Sequence, residues 1–124
     1  MQGADTIEHP DGRLAVAISN MVGHVLREHT GRGPTQLRTH FSDQLISVVV
    51  RDALTQAEHT LVANGKSDVV LAARRAFNDT MRSDLIEGVE DLTGRHVIAY
   101  FSDNAIDPDI ALKSFLLAPQ AVTS

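Results

Sequence analysis

The sequence has no cysteine in its 124 residues. Disulfides, thiolate zinc sites, iron–sulfur clusters and cysteine nucleophiles are all excluded. Tryptophan is also absent and aromatic residues make up only 4% of the chain, so the core has to be built from Leu, Ile, Val and Ala. A chain without cysteine is consistent with the cytosol, and we expect a cytoplasmic location.

Long hydrophobic runs are missing as well. No stretch approaches the ~20 apolar residues that span a bilayer. The opening residues, MQGADTIEHPDGR, are polar and acidic and have no apolar segment of the kind found in secretory signals. We therefore expect no direct insertion into a membrane. If the protein works at the periphery of the inner membrane, it does so through a partner.

Basic residues are outnumbered, with 11 Lys and Arg against 16 Asp and Glu and a formal net charge of −5. A generic nucleic-acid surface is disfavoured, because such binding depends on clustered Lys and Arg. The hydrophobic fraction of 43% and the charged fraction of 22% are typical of globular proteins. We expect a single domain over residues 1–124, with an ordered core at about 12–118 and short flexible termini.

Helical periodicity appears three times. Apolar residues at spacings of three and four predict a helix from Gly12 to Thr30, with Asp11 as its N-cap and Gly31 as its stop. Thr55 and Glu58 fit a capping box, which predicts a short helix over 56–63. A third, long helix is predicted to begin with Ser67 as N-cap and to end at Gly94; its apolar positions are Val70, Ala73, Phe77, Met81, Leu85, Val89 and Leu92.

Alternating patterns predict strands at 36–41, 45–50, 96–101 and 110–117. For the last segment a helix is the alternative, but Asp107-Pro108 and the alternation favour a strand. Phe115 in that strand belongs either to the core or to a self-association face. The order α-β-β-α-α-β-β predicts an α+β two-layer sandwich: a mostly antiparallel four-stranded sheet with helices packed on one face.

The segment Gly31-Arg32-Gly33-Pro34 admits two interpretations. Successive N–H groups in a glycine-rich turn can form an anion site, to which an arginine adds bidentate donors for bicarbonate or phosphate. Glycine after a helix and proline before a strand are also ordinary turn residues. Arg32 discriminates between the two, because a turn alone does not need a guanidinium.

The sequence does not favour a metal site or a catalytic motif. The six histidines lack the spacing of three or four that a zinc site on one helix face requires. Asp103, Asn104, Asp107 and Asp109 depart from the spacing of a calcium loop and fit turn chemistry. The signatures GxSxG, HExxH and the Walker loop are absent. We therefore expect no catalytic residues, no metal and no cofactor.

Four segments, GRGPTQLRTHFSD, LTQAEHTLVANG, RRAFNDTMRSDLIEGVEDLTGRHVIAYFSD and DPDIALKSFLL, together resemble the MpsC-like family over about residues 14–118. The family name implies an accessory component of a cation-translocating, membrane potential-generating system linked to inorganic-carbon supply. The positions that match are Gly31, Arg32, Gly33, Pro34, Thr55, Glu58, Gly94, Arg95, Ser102, Asp103 and Asp107 to Asp109. Among them Arg32, Arg95 and Asp103 lack a sufficient structural explanation in the sequence, so with the Gly31–Pro34 turn they are the candidate residues for binding a partner or an anion.

The resemblance leads to the expectation of a non-enzymatic, soluble accessory or regulatory subunit. It would bind a membrane transporter subunit and form a homo-oligomer, with a dimer favoured. One alternative is a small bicarbonate- or phosphate-binding protein that uses the Gly31–Pro34 turn. Another is a KH-like nucleic-acid module, which has a similar element order, although Asn64-Gly65-Lys66-Ser67 has one glycine where that module has GxxG.

Overall fold

The computed structural model describes residues 12–34 and 36–119. Within them the elements follow the predicted order and confirm the α+β class, with a strand rather than a helix at the end. The predicted N-cap Asp11 and the tail beyond Pro119 lie outside the described residues. The elements are α1 (Gly12–Thr30), β1 (Gln36–Ser42), β2 (Leu45–Arg51), α2 (Gln56–Ala63), α3 (Ser67–Thr93), β3 (Val97–Ala105) and β4 (Ile110–Leu117).

The strands form one antiparallel sheet in the order β1-β2-β4-β3. β1 and β2 make a hairpin, in which Asp43 takes the left-handed φ of 51° that aspartate tolerates better than most residues. β3 and β4 make a second hairpin. Because β4 lies between β2 and β3, Phe115 is paired with Ile46 on one side and with Tyr100 on the other. A central position explains why β4 is so apolar.

The core lies between this sheet and the helices α1 and α3. Alternate residues of β2 and β4 point towards the helices, and Ile46, Val48, Val50 and Phe115 among them are fully buried. The helices contribute side chains that are 0% exposed, namely Ile18, Val22, Leu85 and Val89. Each such burial stabilises the fold by about 1.5–3 kcal/mol. Phe115 is therefore a core residue, and its predicted alternative role in self-association is wrong.

The third strand extends further than its sequence predicts. It runs to Ala105 rather than to residue 101, where the predicted strand ends, so only residues 106–109 separate it from β4. The reason is the pairing with β4, which continues through Asn104↔Ala111 and Ala105↔Ile110. These pairings supply backbone hydrogen bonds to residues with low strand propensity, and tertiary pairing thus overrides local preference.

The long helix α3 departs from its prediction at the N-cap and on one face. Its N-cap is Lys66, without a side-chain capping bond, instead of Ser67. Phe77 and Leu92 were predicted on the buried face but are 42% and 40% exposed. Phe77 lines a cavity at the edge of the core, which accounts for its partial exposure.

The sheet face opposite the helices carries partly exposed apolar side chains. Phe101 on β3 is 61% exposed, and its diagonal neighbour Leu112 on β4 is 40% exposed. Leu112 is paired in turn with Val49 of β2, and Leu116 is paired with Leu45. We call these five side chains the open sheet face.

Candidate functional site

A cavity of about 280 Å³ lies between the α1–β1 turn, α2, the first half of α3 and the adjoining sheet. One part of its wall is apolar and includes Leu26, Val50, Phe77 and Met81. The other part is polar and charged. Its members are Thr30, Arg32, Thr55, Glu58, Arg74, Asn78, Asn104 and Lys113.

Lys113 is the least expected of these residues. It faces the helices from the centre of β4 between Ala111 and Phe115, and only 2% of it is exposed. Its Nζ donates to Asn78 Oδ1 at 2.6 Å and to Ser102 Oγ at 3.1 Å. Burial, together with the charge of Arg74, lowers the pKa of Lys113 to about 8.

Arg74 and Glu58 form a bidentate ion pair beside Lys113. Arg74 Nε donates to Glu58 Oε2 at 3.2 Å and Nη2 to Oε1 at 3.0 Å, while Nη1 donates to Asn104 Oδ1 at 3.1 Å. Burial opposes the ionisation of Glu58, but the hydrogen bonds and charge of Arg74, with the Thr55 N–H, outweigh it and lower the pKa of the carboxyl. The guanidinium and carboxylate therefore neutralise each other.

The same glutamate is the fourth residue of the predicted capping box. Glu58 Oε1 accepts the Thr55 N–H at 2.8 Å, and Thr55 Oγ1 accepts the Glu58 N–H at 3.1 Å. The box is thereby confirmed, and it gives Thr55 and Glu58 a structural role. The ion pair of Glu58 with Arg74 joins the start of α2 to α3 and holds the carboxylate at the cavity wall.

The turn after α1 combines helix termination with one contact to the cavity. Gly31 takes a left-handed φ of 78°, and its N–H bonds the Arg27 carbonyl at 2.9 Å. The Arg32 N–H has Thr30 Oγ1 at 3.3 Å, so two N–H groups of the turn already have acceptors. Gly33 lies under the Arg27 guanidinium, which a Cβ there would approach to 2.6 Å. An anion site in the backbone of this turn stays a prediction.

The Arg32 side chain crosses from this turn to the residues after β2. Its Nη2 donates to the Asp52 carbonyl at 2.9 Å and lies 3.4 Å from Asp52 Oδ2. Its Nε is buried and has no hydrogen-bond partner within the described part of the chain. Arg32 and Pro34 both line the cavity.

Arg95 and Asp103, the other candidate residues, lie away from the cavity wall. Arg95 Nη2 donates to the Ala118 carbonyl at 2.8 Å and to Gln44 Oε1. It thus ties the start of β3 to the β1–β2 hairpin and to the end of β4, which is a structural role. Asp103 Oδ1 accepts the N–H of the next residue, Asn104, at 2.9 Å and is exposed on the open side of β3.

Three possible metal ligands meet near Asp52. Atoms of Asp52, His59 and Asp109 lie within 4.8 Å of one another, because the pairing of Arg51 with Ile110 brings distant segments together. Local histidine spacing could not have predicted this group. Asp52 is already paired with Arg32, and Asp109 Oδ2 accepts the Leu54 N–H at 3.0 Å. A cation there would compete with both contacts.

Residues 11–118 match the family model described as Na+-translocating membrane potential-generating system (MpsC). The chain belongs to the MpsC family. No curated protein and no solved structure shows significant similarity to it. The family description names a membrane system, whereas none of the helices in the described part of this family member has the length and apolarity to cross a bilayer.

In this member of the MpsC family, sequence reasoning found one side of the cavity and missed the other. Arg32 and Pro34 were candidate binding residues, whereas Thr55 and Glu58 were predicted only as a capping box, and the structure places all four on the cavity wall. Lys113 was missed, although its signal was present. The alternation Ala111, Lys113, Phe115, Leu117 puts a lysine on the stripe that had to face the core.

Proposed function

We propose that the chain is a non-enzymatic accessory or regulatory subunit of a membrane cation and inorganic-carbon transport system. It acts at the cytoplasmic side of the inner membrane by binding a protein subunit of that system. The single observation that carries the proposal is the family match over residues 11–118. The family description names a system that translocates Na+ across a membrane, and an accessory subunit reaches such a system through a protein contact.

The open sheet face is the surface that we assign to this contact. Phe101, Leu112 and Val49 lie side by side across three strands, and no described residue covers Phe101, which is 61% exposed. Interfaces between proteins are enriched in buried aromatic residues at their centres. Substitution of an exposed side chain on this face is expected to weaken binding without affecting the core.

The experiment is affinity purification of the tagged chain from membranes of the native host, read by mass spectrometry. We expect the wild type to recover an integral membrane transport subunit and Phe101→Lys to lose it. Val69→Lys is the matched control, since Val69 is 47% exposed but lies on α3. Circular dichroism establishes that each variant is folded.

One outcome contradicts the accessory role, and another contradicts only the assignment of the contact to the open sheet face. If the wild type recovers no transport subunit, the chain is not an accessory component of such a system. If Phe101→Lys and Val69→Lys recover the subunit equally well, the accessory role stands but the contact lies outside the open sheet face.

We also propose a homo-oligomer, with a dimer favoured. The sheet ends in β1 and β3, whose outer edges are unpaired among the described residues. Such edges offer free N–H and C=O groups to a second chain. Sedimentation velocity of the purified chain tests this proposal, and a monomer at all accessible concentrations would contradict it.

A further inference from the structure

The cavity holds a buried cation without an anion beside it. Lys113 is 2% exposed and bonds only neutral oxygens, those of Asn78 and Ser102, in the described structure. A buried charge without a counter-charge is costly. The cavity that Lys113 lines is the place where a counter-charge from a ligand can be accommodated.

We propose that this cavity binds a small organic monocarboxylate, with its carboxylate on Lys113 and its apolar part against Phe77 and Met81. The proposal goes beyond the accessory role and does not depend on it, because it concerns the isolated chain. It also differs from an anion site in the Gly31–Pro34 backbone, since the principal cation comes from β4.

The charges of the cavity favour a single negative charge. Arg74 is neutralised by Glu58 at 3.0 Å, and Arg32 has Asp52 at 3.4 Å. Lys113 is therefore the one uncompensated cation on the described wall. A carboxylate balances it, whereas a doubly charged phosphate would leave a second charge to desolvate.

The donors that a carboxylate needs are available. An ammonium group has three N–H donors, and Lys113 uses two of them on Asn78 and Ser102. Arg74 uses one N–H on each of its three nitrogens, which leaves one on Nη1 and one on Nη2. A carboxylate oxygen can accept from both residues and separate their like charges.

The size and the apolar wall exclude a small inorganic anion as the complete ligand. A volume of 280 Å³ corresponds to about nine water molecules at ~30 Å³ each, far more than bicarbonate fills. Leu26, Val50, Phe77 and Met81 present hydrocarbon to the remaining space. Burying an aliphatic or aromatic body against them provides the affinity that a solvated inorganic anion lacks.

The test is isothermal titration calorimetry of the purified full chain at pH 7 with four probes at millimolar concentrations. The probes are hexanoate, hexanol, bicarbonate and inorganic phosphate. We expect hexanoate to bind at least about tenfold more tightly than hexanol, because hexanol lacks the charge-assisted hydrogen bond. Bicarbonate and phosphate are expected to bind at least about tenfold more weakly than hexanoate, since neither has an apolar body.

Three variants locate the site. Lys113→Met retains the length and hydrocarbon of the side chain and is expected to weaken hexanoate at least about tenfold. Lys66→Met is the matched control, because Lys66 is exposed in the α2–α3 turn, and it is expected to bind as the wild type does. Phe77→Ala, at a side chain 42% exposed and thus safe for folding, is expected to weaken hexanoate about threefold or more.

Several results would overturn the proposal. They are equal binding of hexanoate by Lys113→Met and wild type, equal binding of hexanoate and hexanol, tighter binding of phosphate or bicarbonate than of hexanoate, and no binding of any probe. If Lys113→Met does not fold, two other measurements test the proposal. They are hexanoate binding by Phe77→Ala and the NMR resonance of the Lys113 Cε in the wild type with and without hexanoate. A Lys113 signal that hexanoate leaves unshifted also overturns the proposal. These results are independent of whether membranes yield a partner, so the two proposals fail separately.

Discussion

The ammonium group of Lys113 donates a hydrogen bond to the amide oxygen of Asn78, with 2.6 Å between Nζ and Oδ1. β4 is thus joined to α3 by a hydrogen bond between a buried cation and a neutral acceptor. An apolar residue would fill this position of the core at lower cost, since the buried charge lacks an anionic partner in the described structure. Lys113 is therefore a costly residue for the core, and a carboxylate bound as proposed above would offset that cost.

The first prediction concerns the pKa of Lys113. The sequence has only two lysines, Lys66 and Lys113. Labelling of lysine with 13C at Cε therefore gives two NMR resonances, and each can be followed as a function of pH. We expect Lys113 to titrate near pH 8, because burial and the charge of Arg74 disfavour its protonated form. The exposed Lys66 serves as the internal reference in the same spectrum.

Hexanoate is expected to raise the lowered pKa of Lys113 part of the way back towards its ordinary value. A bound carboxylate stabilises the charged ammonium, so the pKa of Lys113 rises when the probe is added and the reference resonance stays in place. If Lys113 shows no lowered pKa in the free protein, the burial of Lys113 in solution is less complete than 2% exposure implies.

The second prediction is that the charge of Lys113 lowers the free energy of unfolding by an amount that depends on pH. Its pKa in the folded protein is about 8 against 10.5 for the ordinary side chain. The unfolded chain therefore holds more protons than the folded one between these values, and stability rises with pH in that window. Relative to Lys113→Met, the wild type should gain about 3 kcal/mol between pH 7 and pH 11.

Urea denaturation of both proteins at each pH measures this difference. Tyr100, whose pKa is raised by burial, titrates in both proteins and cancels. Arg32, Arg74 and Glu58 also face the cavity, and they are present in both proteins, so their contributions cancel in the difference. Lys66→Met, which removes an exposed lysine, is the matched control. If the difference in the free energy of unfolding between the wild type and Lys113→Met does not change with pH, burial of the charge does not destabilise the protein.

The third prediction addresses the carboxylate that joins α2 to α3. Glu58→Gln removes the charge opposite Arg74, whose side chain is 13% exposed, and weakens the capping box. We expect the free energy of unfolding at pH 7 to fall by roughly 2–3 kcal/mol, between the values for surface and buried pairs. Glu87→Gln, at an exposed position of α3, is the control and should be nearly neutral.

The pH dependence of this loss follows from the lowered pKa of Glu58. A carboxyl with a depressed pKa stabilises the fold above its ordinary value of 4.5, and this contribution disappears as the pH falls through the folded-state pKa. The difference between wild type and Glu58→Gln should therefore be constant above pH 4.5 and shrink below it. A difference that stays constant in acid would assign the loss to capping geometry alone.

Local patterns determined most of the fold. α1 was predicted at its observed bounds because its apolar spacing and Gly31 are local signals. The capping box of Thr55 and Glu58 likewise placed α2 correctly. The end of β3 was not predictable in this way, since Asp103 and Asn104 have turn propensities and only the pairing with β4 keeps them in a strand.

The cavity could not be predicted from any single segment of the sequence. Arg74 and Asn78 lie on the flank of α3, where polar residues are normally solvated. Only the packing of α3 against the sheet turns Asn78 towards Lys113 on β4 and Arg74 towards Asn104 on β3. Phe77 was assigned to the core by its spacing for the same reason, because periodicity does not distinguish a core position from the wall of a cavity.

The fourth prediction separates the two interpretations of the turn after α1. Gly31 has a φ of 78°, and no atom of the described residues lies within 4 Å of an added Cβ, so Gly31→Ala introduces backbone strain without a clash. We expect a loss of about 1–2 kcal/mol in the free energy of unfolding, which is the cost of a left-handed residue with a Cβ. Gly12→Ala is the control and should not destabilise, because Gly12 has no positive φ and an added Cβ there meets no atom within residues 12–34 and 36–119. Hexanoate affinity should be the same in Gly31→Ala as in the wild type, because the carboxylate is held by Lys113. If Gly31→Ala instead leaves stability unchanged and abolishes hexanoate binding, the turn backbone rather than β4 supplies the anion site.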